Sequence, residues 1–328
     1  MQYSTKEIIN ELLIAEEELE TYIFSQDIKV SKEGKVDKKA YQTILSFYEN
    51  KPINGKLKIK EVAENNLVYK SNDSKVLIYQ DDVISFLKKL PNNSIDLIVT
   101  DPAYSGMNQR LQLGRGKIIG KYKDKGENGK WFEEFHDTEE NYNIFLNECY
   151  RVLKNNRHIY IMFDSYSMLS LAPLIRKVFN VKNILCWDKA HIGLGHYFRR
   201  RHEFIIFSSK GKRKLNSKSI PDVWKIKRIS PMKYPTQKPT ELFELMITGS
   251  ADKDYLICDP FLGSGSAAIA SIKKGCRFIG CDISETAVEV SSDRISKYLS
   301  TKEDPIQKNS LLADDESLNK LFLNGKFK

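Results

Sequence analysis

A doubly wound α/β fold with a mostly parallel sheet is the architecture this chain predicts, and three observations carry the prediction. Short apolar runs alternate with amphipathic helical stretches along most of the 328 residues. The central runs are apolar almost throughout, as strands covered on both faces are. Several of them end in an acid: Asp82, Asp101, Asp164, Asp259 and Asp282. Strand ends of open α/β sheets are where such folds carry out chemistry.

Taken in order, residues 5–23 read as an amphipathic helix with Ile8, Leu12, Leu19 and Ile23 on one stripe, and a second helix follows over Lys38–Tyr48. These predict a small N-terminal helical appendage over 1–60. Residues 61–300 form the main domain, and 301–328 a polar tail. Lys75–Asp82 is a strand, Val83–Leu90 a helix, and Pro91-Asn-Asn its stop. Ile95, Leu97, Ile98 and Val99 form a short, nearly continuous apolar run, and it halts at Asp101-Pro102 because proline cannot continue a ladder.

A carboxylate on Asp101 and the Pro102 carbonyl can both accept hydrogen from an exocyclic amine, while Tyr104 stacks on a planar base. The polar stretch 105–135 carries Arg110, Arg115 and Lys117 among glycines and reads as a mobile binding loop leaving that site. Further strand and helix runs follow at Asn143–Leu153, His158–Phe163, Met168–Phe179 and Val181–Trp187. Phe204–Phe207 follows a short connection and is expected to pair at an edge of the sheet.

Charge bounds the partners. The chain carries 52 Lys and Arg against 43 Asp and Glu, a net +9. Eleven of those basic residues lie between Arg199 and Arg228 against only Glu203 and Asp222, so this segment holds the whole excess. Arg199, Arg200, Lys212, Arg213 and Trp224 there suit phosphates and exposed bases. No apolar run nears the roughly 18 residues of a membrane span, and the opening Met1-Gln-Tyr-Ser-Thr-Lys-Glu lacks the order of a secretory signal. A cytoplasmic protein without a membrane partner is expected. Five scattered cysteines read as reduced core thiols, with no metal site.

Near the C-terminal end, the strand Tyr255–Cys258 runs into Asp259-Pro-Phe-Leu-Gly-Ser-Gly-Ser266 and a small-residue helix. Gly263 and Gly265 let a ligand approach the backbone where that helix begins. Seventeen residues past Gly265, the strand Phe278–Cys281 ends at Asp282, placed to take ribose hydroxyls.

From about Lys75 to Lys297 the chain resembles the β-class amino-group DNA methyltransferases that use S-adenosylmethionine. The resemblance rests on Asp101-Pro-Ala-Tyr104, on Pro235-Thr-Gln-Lys-Pro239 before a helix, on Asp259–Gly265, and on Asp282. It implies a seven-stranded Rossmann-like sheet in which the catalytic motif precedes the cofactor motif, a circularly permuted order. It further implies Asp101, Pro102 and Tyr104 as catalytic residues. Asp82, Thr236, Lys238, Asp259, Phe261, Gly263, Ser264, Gly265 and Asp282 would hold the cofactor. Double-stranded DNA is the implied partner, with 208–233 as a short target-recognition segment; a homodimer and a cognate restriction endonuclease are compatible with it. The family usually has proline where Ala103 stands here, so one φ restraint is missing. Aspartate rather than serine at position 101 favours adenine N6 over cytosine N4. A nucleic-acid-binding module with a vestigial cofactor fold is the alternative of another class.

Overall fold

A computed structural model of the chain describes residues 2–12, 19, 20, 23, 26, 28–49, 66–102, 138–193, 198–229, 234 and 237–307. It divides into two compact units, residues 1–59 with 91–94, and residues 60–90 with 95–328. The first unit is not purely helical. Strands β1 (Gln2–Ser4) and β2 (Lys35–Asp37) pair antiparallel, with Tyr3 opposite Val36. Helices α1 (Thr5–Leu12) and α2 (Lys38–Glu49) accompany them. Its core is Ile8, Leu19, Val36 and Ile44, and Tyr3 stacks flat on Tyr41 with ring centroids 3.7 Å apart.

The second unit is built on one sheet. Its strands are β3 (Leu67–Lys70), β4 (Val76–Gln80), β5 (Ile95–Thr100), β6 (Leu153–Phe163), β7 (Asn180–Asp188), β8 (His202–Lys210), β9 (Val223–Lys225), β10 (Leu256–Asp259) and β11 (Arg277–Asp282). They lie in the order β3-β4-β11-β10-β5-β6-β8-β7-β9. Among the described residues the sheet therefore has nine strands where seven were expected. The seven inner ones are those of the predicted fold, and the short edge strands β3 and β9 extend it on either side. β5 is buried along its whole length, which explains its nearly continuous apolar run, and the one charge in it, Asp96, is paired with Lys154 and Arg157.

Helices α3 (Val83–Lys89), α4 (Glu139–Val152), α5 (Ser165–Val178), α6 (Thr240–Ser250), α7 (Ser266–Lys273) and α8 (Glu285–Thr301) complete this unit. α6 and α7 bury almost every residue, so their sequences read apolar or small on all sides. All five cysteines are free, and four of them are buried.

One strand assignment is corrected. β8 is not at an edge: it runs antiparallel between β6 and β7, pairing Phe204 with both Phe163 and Cys186. The chain crosses over through α5, leaves a gap one strand wide, and then turns back to fill it. A short connection dictates an antiparallel neighbour but does not say whether that neighbour has a second partner. Trp224 is corrected as well. It lies 2% exposed in β9 and donates Nε1–H to the Pro221 carbonyl at 2.7 Å, so it belongs to the core and not to a base-binding surface.

Candidate active site

β4, β11, β10, β5 and β6 are mutually parallel, and β7 shares their direction because both it and β6 run antiparallel to β8. Their carboxyl ends fall on one edge of the sheet, which brings Asp82, Asp282, Asp259, Asp101 and Asp164 to that edge from distant parts of the sequence. The antiparallel β8 delivers its first residues, His202 and Glu203, to the same place.

Asp101 follows the last residue of β5, and Pro102 beside it is buried. The Asp101 carboxylate is in direct contact with the ammonium of Lys238, which donates to Oδ2. Lys238 Nζ also lies 3.6 Å from Glu203 Oε2, and Lys189 Nζ donates to Glu203 Oε1 at 3.2 Å. Two cations and two anions thus alternate across the partly buried floor of the site. Burial pushes the Asp101 carboxyl above its ordinary value, and Glu203 and Asp164 add to that while Lys238 opposes it. Burial works against the charge of Lys238 too, yet Asp101 and Glu203 outweigh it and hold the ammonium above the usual lysine range. In Glu203 the burial effect is likewise overcome, by Lys238 and then Lys189, and its carboxyl is held low.

The glycine turn lies one strand away, between β10 and α7. Gly263 and Gly265 have φ of +50° and +76°, which side chains with a Cβ rarely adopt. A Cβ on Gly265 would come within 3.0 Å of Ser291 Cβ, whereas one on Gly263 would meet, among the described residues, nothing closer than Tyr234 at 3.8 Å. Gly265 is required by packing; Gly263 leaves room above the backbone. Asp282 ties the turn to β11 by accepting the Gly263 N–H at 2.8 Å and the Ser284 N–H at 3.0 Å.

Buried Arg294 of α8 braces the turn from behind. It donates to the Ser264 carbonyl and Ser266 Oγ, each at 2.9 Å, and to Thr240 Oγ1 at 3.1 Å, with Asp304 as its counter-ion at 2.6 Å. Ser266 Oγ in turn donates to the Lys238 carbonyl at 2.7 Å. The turn and the segment carrying Lys238 are thereby held as one piece.

Several expected ligands occupy these positions in altered roles. Asp259 is 2% exposed and accepts the Phe261 N–H at 3.1 Å, so its carboxylate shapes the turn rather than facing a ligand. Burial drives its carboxyl well above the ordinary aspartate range, against the Phe261 N–H that favours the charged form. Asp82 caps α3, with Oδ1 accepting from Ile84 and Ser85 N–H; its Oδ2 holds the remaining acceptor capacity. Phe261 stands edge-on to Phe145 with centroids 5.6 Å apart. Tyr104, Thr236, Arg110, Arg115 and Lys117 lie outside the described residues.

Lys212 and Arg213 sit at the far end of β8 from Glu203, on the opposite edge of the sheet. From Glu203 to the end of β8 at Lys210 is about 23 Å along the strand at ~3.3 Å per residue. Arg213 is also engaged, pairing with Asp252 at 3.2 Å and lying over the Tyr255 ring. These two are therefore removed from the surface around Asp101. Arg199 and Arg200 remain at the carboxyl edge, with Arg199 exposed and its Nε donating to the Gly193 carbonyl at 2.8 Å.

The family model described as DNA methylase, of the N6/N4 methyltransferases, matches residues 95–293, more than half of the chain. The chain belongs to this family. Among curated proteins, the methyltransferase is 29% identical over 250 residues to the type II methyltransferase M2.MboI of Moraxella bovis, covering 69% of this chain and 89% of that one. It is 25% identical over 295 residues to the DNA adenine methyltransferase YhdJ of Escherichia coli, covering 74% and 94%. Its fold is similar to that of the PvuII DNA methyltransferase (cytosine-N4-specific), with a TM-score of 0.50, 15% identity, and 78% and 94% of the two chains covered.

The family's methyl donor is S-adenosylmethionine, and the residues present fit it. Gln237 is 4% exposed, and among the described residues neither its Nε2 nor its Oε1 has a hydrogen-bond partner. A buried amide left with both functions unused is costly unless a ligand satisfies it. It lies between Tyr234, which faces Gly263, and Lys238, which touches Asp101. A ligand with amine and carboxylate groups, laid from the glycine turn toward Asp101, answers that need. Gln237 was not among the expected cofactor residues, although it lies inside Pro235–Pro239; the sequence has no signal for an amide buried without partners.

Proposed function

We propose that the methyltransferase transfers a methyl group from S-adenosylmethionine to the exocyclic N6 of an adenine turned out of double-stranded DNA. The observation that carries this reading is the Asp101 carboxylate at the end of β5, one strand from the open glycine turn of β10 and on the same edge of the sheet.

The cofactor, when bound, supplies a methyl group already activated by the sulfonium. What the protein must supply is a better nucleophile, because the amino lone pair of adenine is delocalised into the ring. Asp101 and the Pro102 carbonyl are two acceptors for the two amino hydrogens, and drawing on both localises the lone pair on nitrogen. The raised affinity of the Asp101 carboxyl for protons makes it a stronger acceptor than an exposed aspartate. Tyr104 is proposed to replace the stacking that the base loses on leaving the helix. On the cofactor side, Gln237 and Lys238 would take the amino-acid end, Asp282 the ribose, and Asp82 Oδ2 the adenine, while Gly263 admits the ligand to the backbone.

Phe198 is fully exposed beside exposed Arg199 on the connection between β7 and β8, which begins and ends at the carboxyl edge. An aromatic ring and a guanidinium there supply stacking and phosphate contact to DNA entering above Asp101. Adenine is favoured over cytosine by aspartate at position 101, and YhdJ, named a DNA adenine methyltransferase, aligns along most of its length. Nucleoside analysis of DNA incubated with protein and labelled cofactor tests the reading. N6-methyladenine is the expected product. N4-methylcytosine would contradict the choice of base, and tight DNA binding without any modified nucleoside would favour a binding module.

A further inference from the structure

Glu203 has no part in the roles assigned so far, and in the sequence it is an isolated acid in the most basic segment of the chain. The antiparallel direction of β8 puts it at the active edge, opposite Trp187 of β7 and next to Phe204, which pairs with Phe163. There Lys189, Glu203, Lys238 and Asp101 form a row of alternating charge, with Glu203 Oε1 taking Lys189 at 3.2 Å and Oε2 facing Lys238 Nζ at 3.6 Å. The Lys238 ammonium has three hydrogens and sits between two carboxylates, in direct contact with Asp101 and 3.6 Å from Glu203.

That arrangement meets a difficulty in the reaction. Asp101 must accept hydrogen from the target amine while the resting protein holds its Oδ2 on Lys238, and a carboxylate that shares its charge with an ammonium is a weaker acceptor for the amine. If the lysine simply lost Asp101, a partly buried cation would be stranded, and such a charge is strongly unfavourable without a partner. Glu203 is the partner within reach. We propose that Glu203 is a positioning residue that receives the Lys238 ammonium when Asp101 turns to the substrate, so that the catalytic acid is released without unpairing any charge. No covalent bond changes in this step; one N–H donor exchanges one carboxylate acceptor for another. The inference rests on Asp101 being the acceptor for the amine.

The test compares Glu203→Gln, Glu203→Asp and Lys189→Met with the parent. It reads single-turnover transfer, binding of cofactor and of DNA, and the titration of Asp101 in ligand-free protein followed by carbon-13 NMR, with Asp101→Asn identifying the signal. The groups around Asp101 are Lys238 ahead of α6, Glu203 on β8, Asp164 after β6 and Asp259 at the end of β10, with Lys189 behind Glu203. Removing the Glu203 charge leaves Lys238 fixed on Asp101. Transfer should then slow by about tenfold or more while both affinities stay within about twofold, and Asp101 should titrate at lower pH. Lys189→Met frees Glu203 to draw Lys238 away, so the titration should move the other way, to higher pH. Glu203→Asp should recover part of the rate.

Opposite movements in the two variants cannot come from general loosening of the fold. An unchanged rate in Glu203→Gln, or a slower rate with Asp101 titrating as in the parent in both variants, would overturn the proposal. If Asp101→Asn itself keeps transferring methyl groups, the fault lies instead with the role given to Asp101.

Discussion

Asp101 is held between opposing influences, with burial, Glu203 and Asp164 raising its proton affinity and Lys238 lowering it. Because the first group prevails, the acid should lose its charge at a pH above the ordinary aspartate value of 3.8. The ionised form is the one that accepts hydrogen, so transfer should be full at high pH and fall as pH drops through that raised value. Single-turnover rates measured across the acid range check this, and an acid limb at or below the ordinary aspartate value would contradict it. Asp101 itself was legible in the sequence, because an apolar strand that stops at Asp-Pro is a local signal. Its partner was not: Lys238 is 137 residues away, and Pro235–Pro239 suggested a cofactor contact only. Glu203 was hidden by its basic neighbours. The places of Asp82 and Asp259 at the carboxyl edge were legible, but whether a carboxylate faces a ligand or its own backbone depends on rotamers that strand patterns do not encode.

At the scale of elements, the glycine turn does not stand alone. Arg294 and Asp304 are 1% exposed and nearly buried respectively, and through Ser264, Ser266 and Thr240 they join α6, α7 and α8 behind the cofactor side of the site. Arg294→Met removes one member of a buried ion pair and leaves the Asp304 charge without its counter-ion, which should destabilise the protein by about 3–5 kcal/mol. Denaturant unfolding measures it, and cofactor affinity should weaken in parallel because the turn loses its brace. A loss under about 1 kcal/mol would mean that the cluster is solvated. The strand, turn, helix, strand and terminal acid of this region were all readable from apolar runs and glycines. The brace was not, since an arginine in an amphipathic helix reads as a surface residue until the packing around it is known. The interior position of β8 was missed for a related reason: Phe204–Phe207 is equally apolar whether one strand or two flank it.

Across the whole molecule, the two edges of the sheet have different tasks. The carboxyl edge holds the acids and the exposed Phe198 and Arg199, while the opposite edge holds Asp96 paired with Lys154 and Arg157, and Arg213 paired with Asp252. The excess of positive charge between Arg199 and Arg228 was legible, but its division between two edges depends on the direction of β8. Charge reversal should separate them. Arg199→Glu is expected to make DNA binding less steeply dependent on salt, by about one unit of logarithmic slope, whereas Lys212→Glu should leave the slope nearly unchanged. Equal effects would contradict the placement.

The amino edge also carries a pH-sensitive group. Buried His158 donates Nε2–H to the Arg213 carbonyl and accepts at Nδ1 from Ser250, so the fold holds it neutral. Burial lowers its pKa to about 4 from the ordinary 6.5. Its contribution to stability is complete above 6.5 and is lost between 6.5 and about 4, because the unfolded chain takes up a proton that the folded one refuses, at no more than about 1.4 kcal/mol per pH unit. Unfolding free energies measured over that range should slope accordingly, and His158→Gln should flatten them.

All of this converges on the carboxylate at the end of β5, and one comparison tests it most directly. Asp101→Asn keeps the shape of the side chain and removes its charge, so single-turnover methyl transfer to DNA should fall by about a thousandfold or more, while calorimetry finds S-adenosylmethionine bound nearly as tightly as in the parent. Transfer surviving the substitution at close to the parent rate would contradict the role assigned to Asp101, and with it the mechanism built around that residue.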